Sequence, residues 1–241
     1  MGPKHTRAAI ASPKPRPLPK RQTVTDQVTG YIAEGIAEGH YVGGQQIRQE
    51  AIAAELGVSR IPVREALLQL EAMGLVVNRP HRGAVVADLS IDDAIELFEA
   101  RLLLEPFLLA RAMERLTASA TANAERVLKE YAAAVDRSAG PSELSRLNWE
   151  FHAALMAPAR SPRLTAFIQT LYNSADRYLR IQIQSPAAQA RALAEHKKLF
   201  ALYKAGNMAS ASKLLKAHIA DASAEIVARL RRVMPGERHR Q

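Results

Sequence analysis

The chain has 241 residues, 48% of them hydrophobic and 24% charged, which suits two packed domains and excludes a disordered protein overall. Its longest apolar stretch, Ala100–Ala110, is broken by Arg101 and Glu105, so it lacks the roughly 18 clean residues a membrane span needs. Without cysteine there is no disulfide and no thiolate metal site, and no hydrophobic signal core follows the basic N-terminus, so a soluble, cytoplasmic protein is expected.

A net charge of +9 suggests a polyanionic partner, but its distribution matters more than its sum. Residues 1–22 carry six Lys/Arg, five prolines and no acid, and read as a disordered basic arm. Residues 23–88 carry five arginines against eight acids, so a nucleic-acid argument there must rest on where the arginines sit. Residues 89–241 hold 22 basic and 16 acidic groups and finish in a basic tail over 235–241.

From Thr23, the recurrence of Val24, Val28, Tyr31, Ile32 and Ile36 predicts a helix that stops at Gly39. Gly43-Gly44 is a turn, and Arg48 to Leu56 form a short second helix ended by Gly57. Ser59 is placed to cap a third helix with its hydroxyl, and Pro62 is tolerated because first-turn N–H groups lack intrahelical partners. Val63, Ala66, Leu67, Leu70 and Met73 form the stripe this helix buries. Two β-like runs, Leu75–Asn78 and Ala84–Ala87, flank Arg-Pro-His-Arg-Gly and predict a hairpin with a basic tip.

Three short helices and a hairpin make a winged helix-turn-helix over 23–88. Arg60 and Arg64, four apart, fall outside the buried stripe of a helix that fits a DNA major groove about 12 Å wide, where arginine offers a fork to guanine or phosphate. Arg79 and Arg82 on the wing reinforce this, with Gly83 allowing close backbone approach. Arg48 and His81 are assigned to the same contact set. One recognition helix reads only a few base pairs, so a homodimer on a pseudo-palindromic site is expected.

Residues 89–234 read as one bundle of about six helices, near 90–115, 118–138, 142–157, 161–184, 187–205 and 207–233, with Pro106 expected to interrupt and kink the first. The fold class is therefore mainly α. Three of the seven histidines, His152, His196 and His218, lie on apolar helix faces, and Asn148 precedes His152 by one turn on the same face. Each alone reads as a packing residue. Packed together, three imidazoles suit a divalent Zn, Ni, Cu or Fe, with Asn148 adding a neutral oxygen. The same set could serve a metal-dependent enzyme, the alternative reading, but no general base stands out: Glu150 and Glu195 adjoin histidines in sequence and therefore point about 100° away.

The run Leu56-Gly-Val-Ser-Arg-Ile-Pro-Val-Arg-Glu-Ala-Leu-Leu-Gln-Leu-Glu-Ala-Met-Gly-Leu75, with Arg82-Gly-Ala-Val-Val86 after it, resembles the DNA-binding domain of GntR-family regulators. Arg101 with Leu104-Glu105-Pro106, Asn148-Trp149-Glu150-Phe151-His152, Glu195-His196 and Lys216-Ala217-His218-Ile219 resemble the FCD effector domain of the FadR branch, and six helices resemble its VanR-like subgroup. The resemblance implies recognition-helix contacts at Ser59, Arg60 and Arg64, wing contacts at Arg82 and Gly83, and a metal set of Asn148, His152, His196 and His218. It makes Arg101 a cavity arginine for a carboxylate, and favours an operator-bound repressor released by a small organic acid, such as a sugar acid or dicarboxylate. Ile61 stands in the contact set where threonine is usual, at the loss of a polar contact. Gly43-Gly44 replaces the usual Pro-Gly turn, and Asn148 an aspartate.

Overall fold

Thr23 starts the first helix by satisfying two backbone donors at once. In the computed structural model, which describes residues 23–234, the Thr23 hydroxyl accepts from the Asp26 N–H and the Asp26 carboxylate accepts from the Thr23 N–H, both at 3.0 Å. The expected arm over 1–22 and the tail over 235–241 lie outside the described residues. Helix α1 (Val24–Ala37), α2 (Gln49–Leu56) and α3 (Arg60–Ala72) close on a core of Val28, Ile32, Ile52, Val63 and Leu70.

The wing pairs β1 (Val76–Arg79) with β2 (Gly83–Val86), antiparallel, with Val76 opposite Val86 and Arg79 opposite Gly83. Each strand lies one residue from its expected place, which shortens the tip to Pro80-His81-Arg82. The tight reversal holds His81 at φ 62 and Gly83 at φ 67, and the second is a conformation glycine adopts without steric cost. A further backbone segment joins the wing: Ile47 N–H donates to the Ala84 carbonyl at 2.9 Å and Val86 N–H to the Gln45 carbonyl at 2.8 Å. The polar run Gly43–Gln46 shows no alternation that would announce it.

The second core belongs to α4 (Ile91–Met113), α5 (Ala118–Asp136), α6 (Pro141–Met156), α7 (Pro162–Ile183), α8 (Pro186–Lys204) and α9 (Met208–Val233), with one 3₁₀ turn between α6 and α7. Ser90, Thr117, Ser185 and Asn207 cap four of these with side-chain oxygens. Three begin on proline, whose missing N–H has no partner to lose in a first turn. Pro106 does not interrupt α4 as expected; the helix continues through it for seven residues to Met113. Burial of this segment by its neighbours outweighs the one hydrogen bond that proline forgoes. Phe98, Leu108, Tyr131, Phe151 and Leu230 lie in the bundle core.

Between β2 and α4 only residues 87–90 connect the two cores. Arg177 of α7 straps them down. Its Nη1 donates to the carbonyls of Ala87 (3.0 Å) and Asp88 (3.2 Å), and its Nη2 to the Asp93 carboxylate (2.9 Å). The Ser90 N–H donates to the Tyr178 hydroxyl at 3.1 Å. Beside this strap a cleft of about 430 Å³ separates α1 from α6 and α7, lined by Thr29, Ala33, Met73, Trp149, Tyr172 and Arg180 among others.

Candidate DNA-reading face and metal centre

Helix α3 buries Val63, Ala66, Leu67 and Leu70, which leaves Arg60, Ile61 and Arg64 exposed on its outer side. Arg64 has no side-chain partner among the described residues and shares a depression between α3 and the wing with Asn78 and Gly83. Arg60 is engaged with Glu50 at 2.9 Å, both side chains well exposed, so the pair holds on the order of 0–1 kcal/mol and yields readily to a phosphate. Ile61 is 69% exposed at the start of α3. An apolar group there suits a thymine methyl rather than a phosphate.

Ser59 occupies the N-cap position by backbone angles (φ −73, ψ 163), but its hydroxyl makes no cap bond, contrary to expectation. The residue is exposed, so water competes for the N–H groups it would cap, and the hydroxyl stays free for an outside partner. Arg48 is the exposed N-cap residue of α2, and His81 and Arg79 are exposed at the wing. Arg82 is less free than the sequence suggests. Its Nη2 donates to the Gly44 carbonyl at 3.2 Å and its own carbonyl accepts from the Gln46 side chain at 2.5 Å, tying the wing to the turn before α2.

In the bundle, α6, α8 and α9 turn His152, His196 and His218 toward one another, with ring centroids 4.9–5.4 Å apart. One nitrogen from each lies within 4.8 Å of the others. Burial, then the neighbouring imidazoles, pushes the pKa of His196 well below 6.5. Burial lowers that of His152 more than Glu105 can raise it. Both rings are therefore neutral at pH 7, the form that ligates a metal. His152 Nδ1 lies 2.8 Å from Glu105 Oε2, and His218 Nδ1 lies 2.6 Å from Glu195 Oε2. Those carboxylates fix the tautomers with N–H on Nδ1, which points the Nε2 lone pairs inward. His152 Nε2 and both nitrogens of His196 are buried without a hydrogen-bond partner. Buried imidazole nitrogens are costly to leave unpaired, so these orphans fit a divalent cation of the zinc or nickel kind.

Arg101, Asn148 and His218 line a small adjoining cavity of about 30 Å³ with Gln182, Gln189 and Arg191. Asn148 accordingly meets the same space as His218. Arg101 is not an open cation: its Nε donates to Glu105 Oε1 at 2.6 Å and its Nη2 to the Tyr172 hydroxyl at 2.6 Å. Burial alone would push the Glu105 carboxyl up, but Arg101 and then His152 hold it down at about 2. What Arg101 has left is Nη1, buried and unpartnered.

Three supporting residues escape a reading by sequence position. Glu105 could be paired with Arg101 by its i+4 spacing, but its bond to His152 crosses from α4 to α6. Glu195 serves His218 on α9 rather than its neighbour His196, and Tyr172 arrives from α7. Glu150, the other acid beside a histidine, faces outward and pairs with Arg146.

A family model described as bacterial regulatory proteins, gntR family, matches residues 24–86, and one described as the FCD domain matches residues 96–221. The chain belongs to the GntR family. It is 30% identical over 158 residues to an uncharacterized HTH-type transcriptional regulator of Mycobacterium tuberculosis, a match covering 65% of this chain and 63% of the relative. It is 42% identical over 85 residues to a probable D-xylose utilization operon transcriptional repressor of Paenarthrobacter nicotinovorans, covering 35% and 38% of the two chains. The GntR/FCD fold is shared with the solved structure of McbR/YncC from E. coli, with a TM-score of 0.74 and 23% identity over 86% of this chain and 98% of that one. These relatives are named as regulators and the family is one of regulators, so the enzyme alternative gains no support. No helix among the described residues is long and apolar enough to cross a membrane.

Proposed function

We propose that this protein is a cytoplasmic transcriptional repressor that grips double-stranded operator DNA as a homodimer. A small organic acid, bound beside a divalent ion held by Asn148, His152, His196 and His218, makes it let go. The observation that carries the effector half is the convergence of three buried imidazoles, two with orphaned nitrogens, beside a cavity lined by His218 and by Arg101, whose Nη1 has no partner. A cation there supplies positive charge and open coordination for a carboxylate. Arg101 Nη1 donates to the acid's second oxygen, while Gln182 and Gln189 present polar groups to the rest of it. The family match and a relative named as a repressor support the DNA half.

The dimer seam is assigned to the outer face of α4, where Leu103 is 76% exposed and Phe107, one turn on, 53% exposed. A second copy of the same face is self-complementary about a two-fold axis, as a two-fold operator requires.

Footprinting on DNA flanking the protein's own gene tests the whole reading, repeated with candidate organic acids in chelator-treated and zinc-loaded protein. Protection of one pseudo-palindromic site, relieved by an acid only when zinc is present, is the expected result. Equal relief without zinc reduces the histidines to packing residues; no protected site removes the operator.

A further inference from the structure

We propose that Tyr172 is the positioning residue that carries occupancy of the metal centre to the junction with the DNA-reading domain. The inference rests on the proposed metal centre and adds the route by which its state leaves the bundle. Tyr172 faces two ways. Its hydroxyl sits inside the buried polar cluster, donating to Glu105 Oε2 at 3.2 Å and accepting from Arg101 Nη2 at 2.6 Å, while the guanidinium carbon lies 4.0 Å from its ring centroid. Its ring also packs at a tilt on Trp149, centroids 4.6 Å apart, and both rings line the cleft together with Thr29 and Ala33 of α1.

Glu105 Oε2 is shared. It serves His152 Nδ1 at 2.8 Å and the Tyr172 hydroxyl at 3.2 Å, so the tyrosine holds the longer and weaker of the two bonds. An imidazole whose Nε2 gives its lone pair to a cation becomes a stronger donor at Nδ1. The carboxylate then moves toward His152, and the Tyr172 bond is the one that yields. A carboxylate drawn to Arg101 acts in the same direction by competing for the guanidinium that Tyr172 now shares. Because interiors are close-packed, a shift of the ring displaces Trp149 rather than being absorbed. Trp149 borders the cleft facing α1, and five residues beyond Tyr172 on α7, Arg177 grips the linker at Ala87 and Asp88. One helix thus touches the metal centre at one point and the joint at the other.

Trp149 is the sole tryptophan, so its emission reports this region without a label. The experiment titrates Zn²⁺ alone into chelator-treated full-length protein, reading Trp149 emission and, separately, zinc stoichiometry by competition with a colorimetric chelator. Wild type is compared with Tyr172→Phe, which removes only the hydroxyl, and with Tyr203→Phe, which removes a buried hydroxyl that has no hydrogen-bond partner. Wild type and Tyr203→Phe are expected to bind zinc and shift emission alike. Tyr172→Phe is expected to bind zinc at the same stoichiometry but to lose most of the emission shift. Zinc binding without an emission change in wild type, or an undiminished change in Tyr172→Phe, overturns the relay while leaving the metal centre standing. Failure of wild type to bind zinc overturns both.

Discussion

Replacing Glu105 by glutamine keeps the size of the side chain and removes the charge on which the buried cluster depends. At present Oε1 accepts from Arg101 Nε at 2.6 Å, while Oε2 accepts from His152 Nδ1 at 2.8 Å and the Tyr172 hydroxyl at 3.2 Å. An amide offers one acceptor oxygen, and its NH₂ must turn toward at least one of these donors. The Arg101 guanidinium is left buried with no counter-charge. Breaking such a pair costs about 3–5 kcal/mol. At about 2–4 °C per kcal/mol for a unit of this size, the apparent Tm of the chelated protein falls by roughly 6–20 °C. Thermal unfolding followed by circular dichroism measures it. The same substitution frees the His152 ring from its orienting carboxylate, so zinc affinity drops about 10–100-fold in a chelator competition. The double variant Arg101→Met/Glu105→Leu regains part of the stability, because it removes both charges, but none of the zinc affinity. A Glu105→Gln protein that unfolds within about 2 °C of wild type would refute the reasoning, since a charge pair worth under ~1 kcal/mol is a surface pair in disguise.

Arg64→Ala is expected to cost on the order of 1–3 kcal/mol of specific operator binding, read as a loss of preference over scrambled DNA at fixed salt. Arg79→Ala should weaken both DNAs alike and flatten the salt slope by about 1, whereas Arg82→Ala should also loosen the wing, because Arg82 is tied to Gly44. Leu103→Glu places a charge on the α4 face and should yield a monomer by light scattering with its circular dichroism unchanged; a persisting dimer relocates the seam. Because burial lowers the pKa of His152 and pushes that of His196 well down, protons compete with the metal at these two rings only below the ordinary histidine range. Zinc should therefore stay bound as pH falls through about 6.5 and leave at clearly lower pH. Release centred on 6.5 would mean exposed imidazoles.

The reading helix is legible in sequence because its evidence is local. The stripe Val63, Ala66, Leu67, Leu70 fixes the buried side, and Arg60, Ile61 and Arg64 take what remains. The histidine cluster is legible for a similar reason, since each histidine sits in an apolar period of its own helix. The carboxylates that orient them are not, because Glu105 reaches His152 across 47 residues and Glu195 reaches His218 across 23, and only packing decides which helices meet. Nor does sequence separate a free arginine from a tethered one. Arg82 and Arg79 look alike on the wing until the Gly44 carbonyl is found beside one of them. The Ser59 expectation failed on a competition between cap and solvent that residue type alone cannot settle.

The Arg177 strap has a consequence for the DNA rather than the protein. The four residues from 87 to 90 could at full stretch reach about 14 Å, enough slack for a reading head to follow operators of differing length. Held at two carbonyls, with Ser90 fastened to Tyr178, they have no such slack. On the proposed two-fold operator, one added base pair moves the half-sites apart by about 3.4 Å and turns one against the other by about 34°. A head on a loose tether absorbs both changes; a strapped one must strain the bundle or release one half-site. On the proposed dimer, the spacing of the operator is thereby set by a side chain that never approaches it.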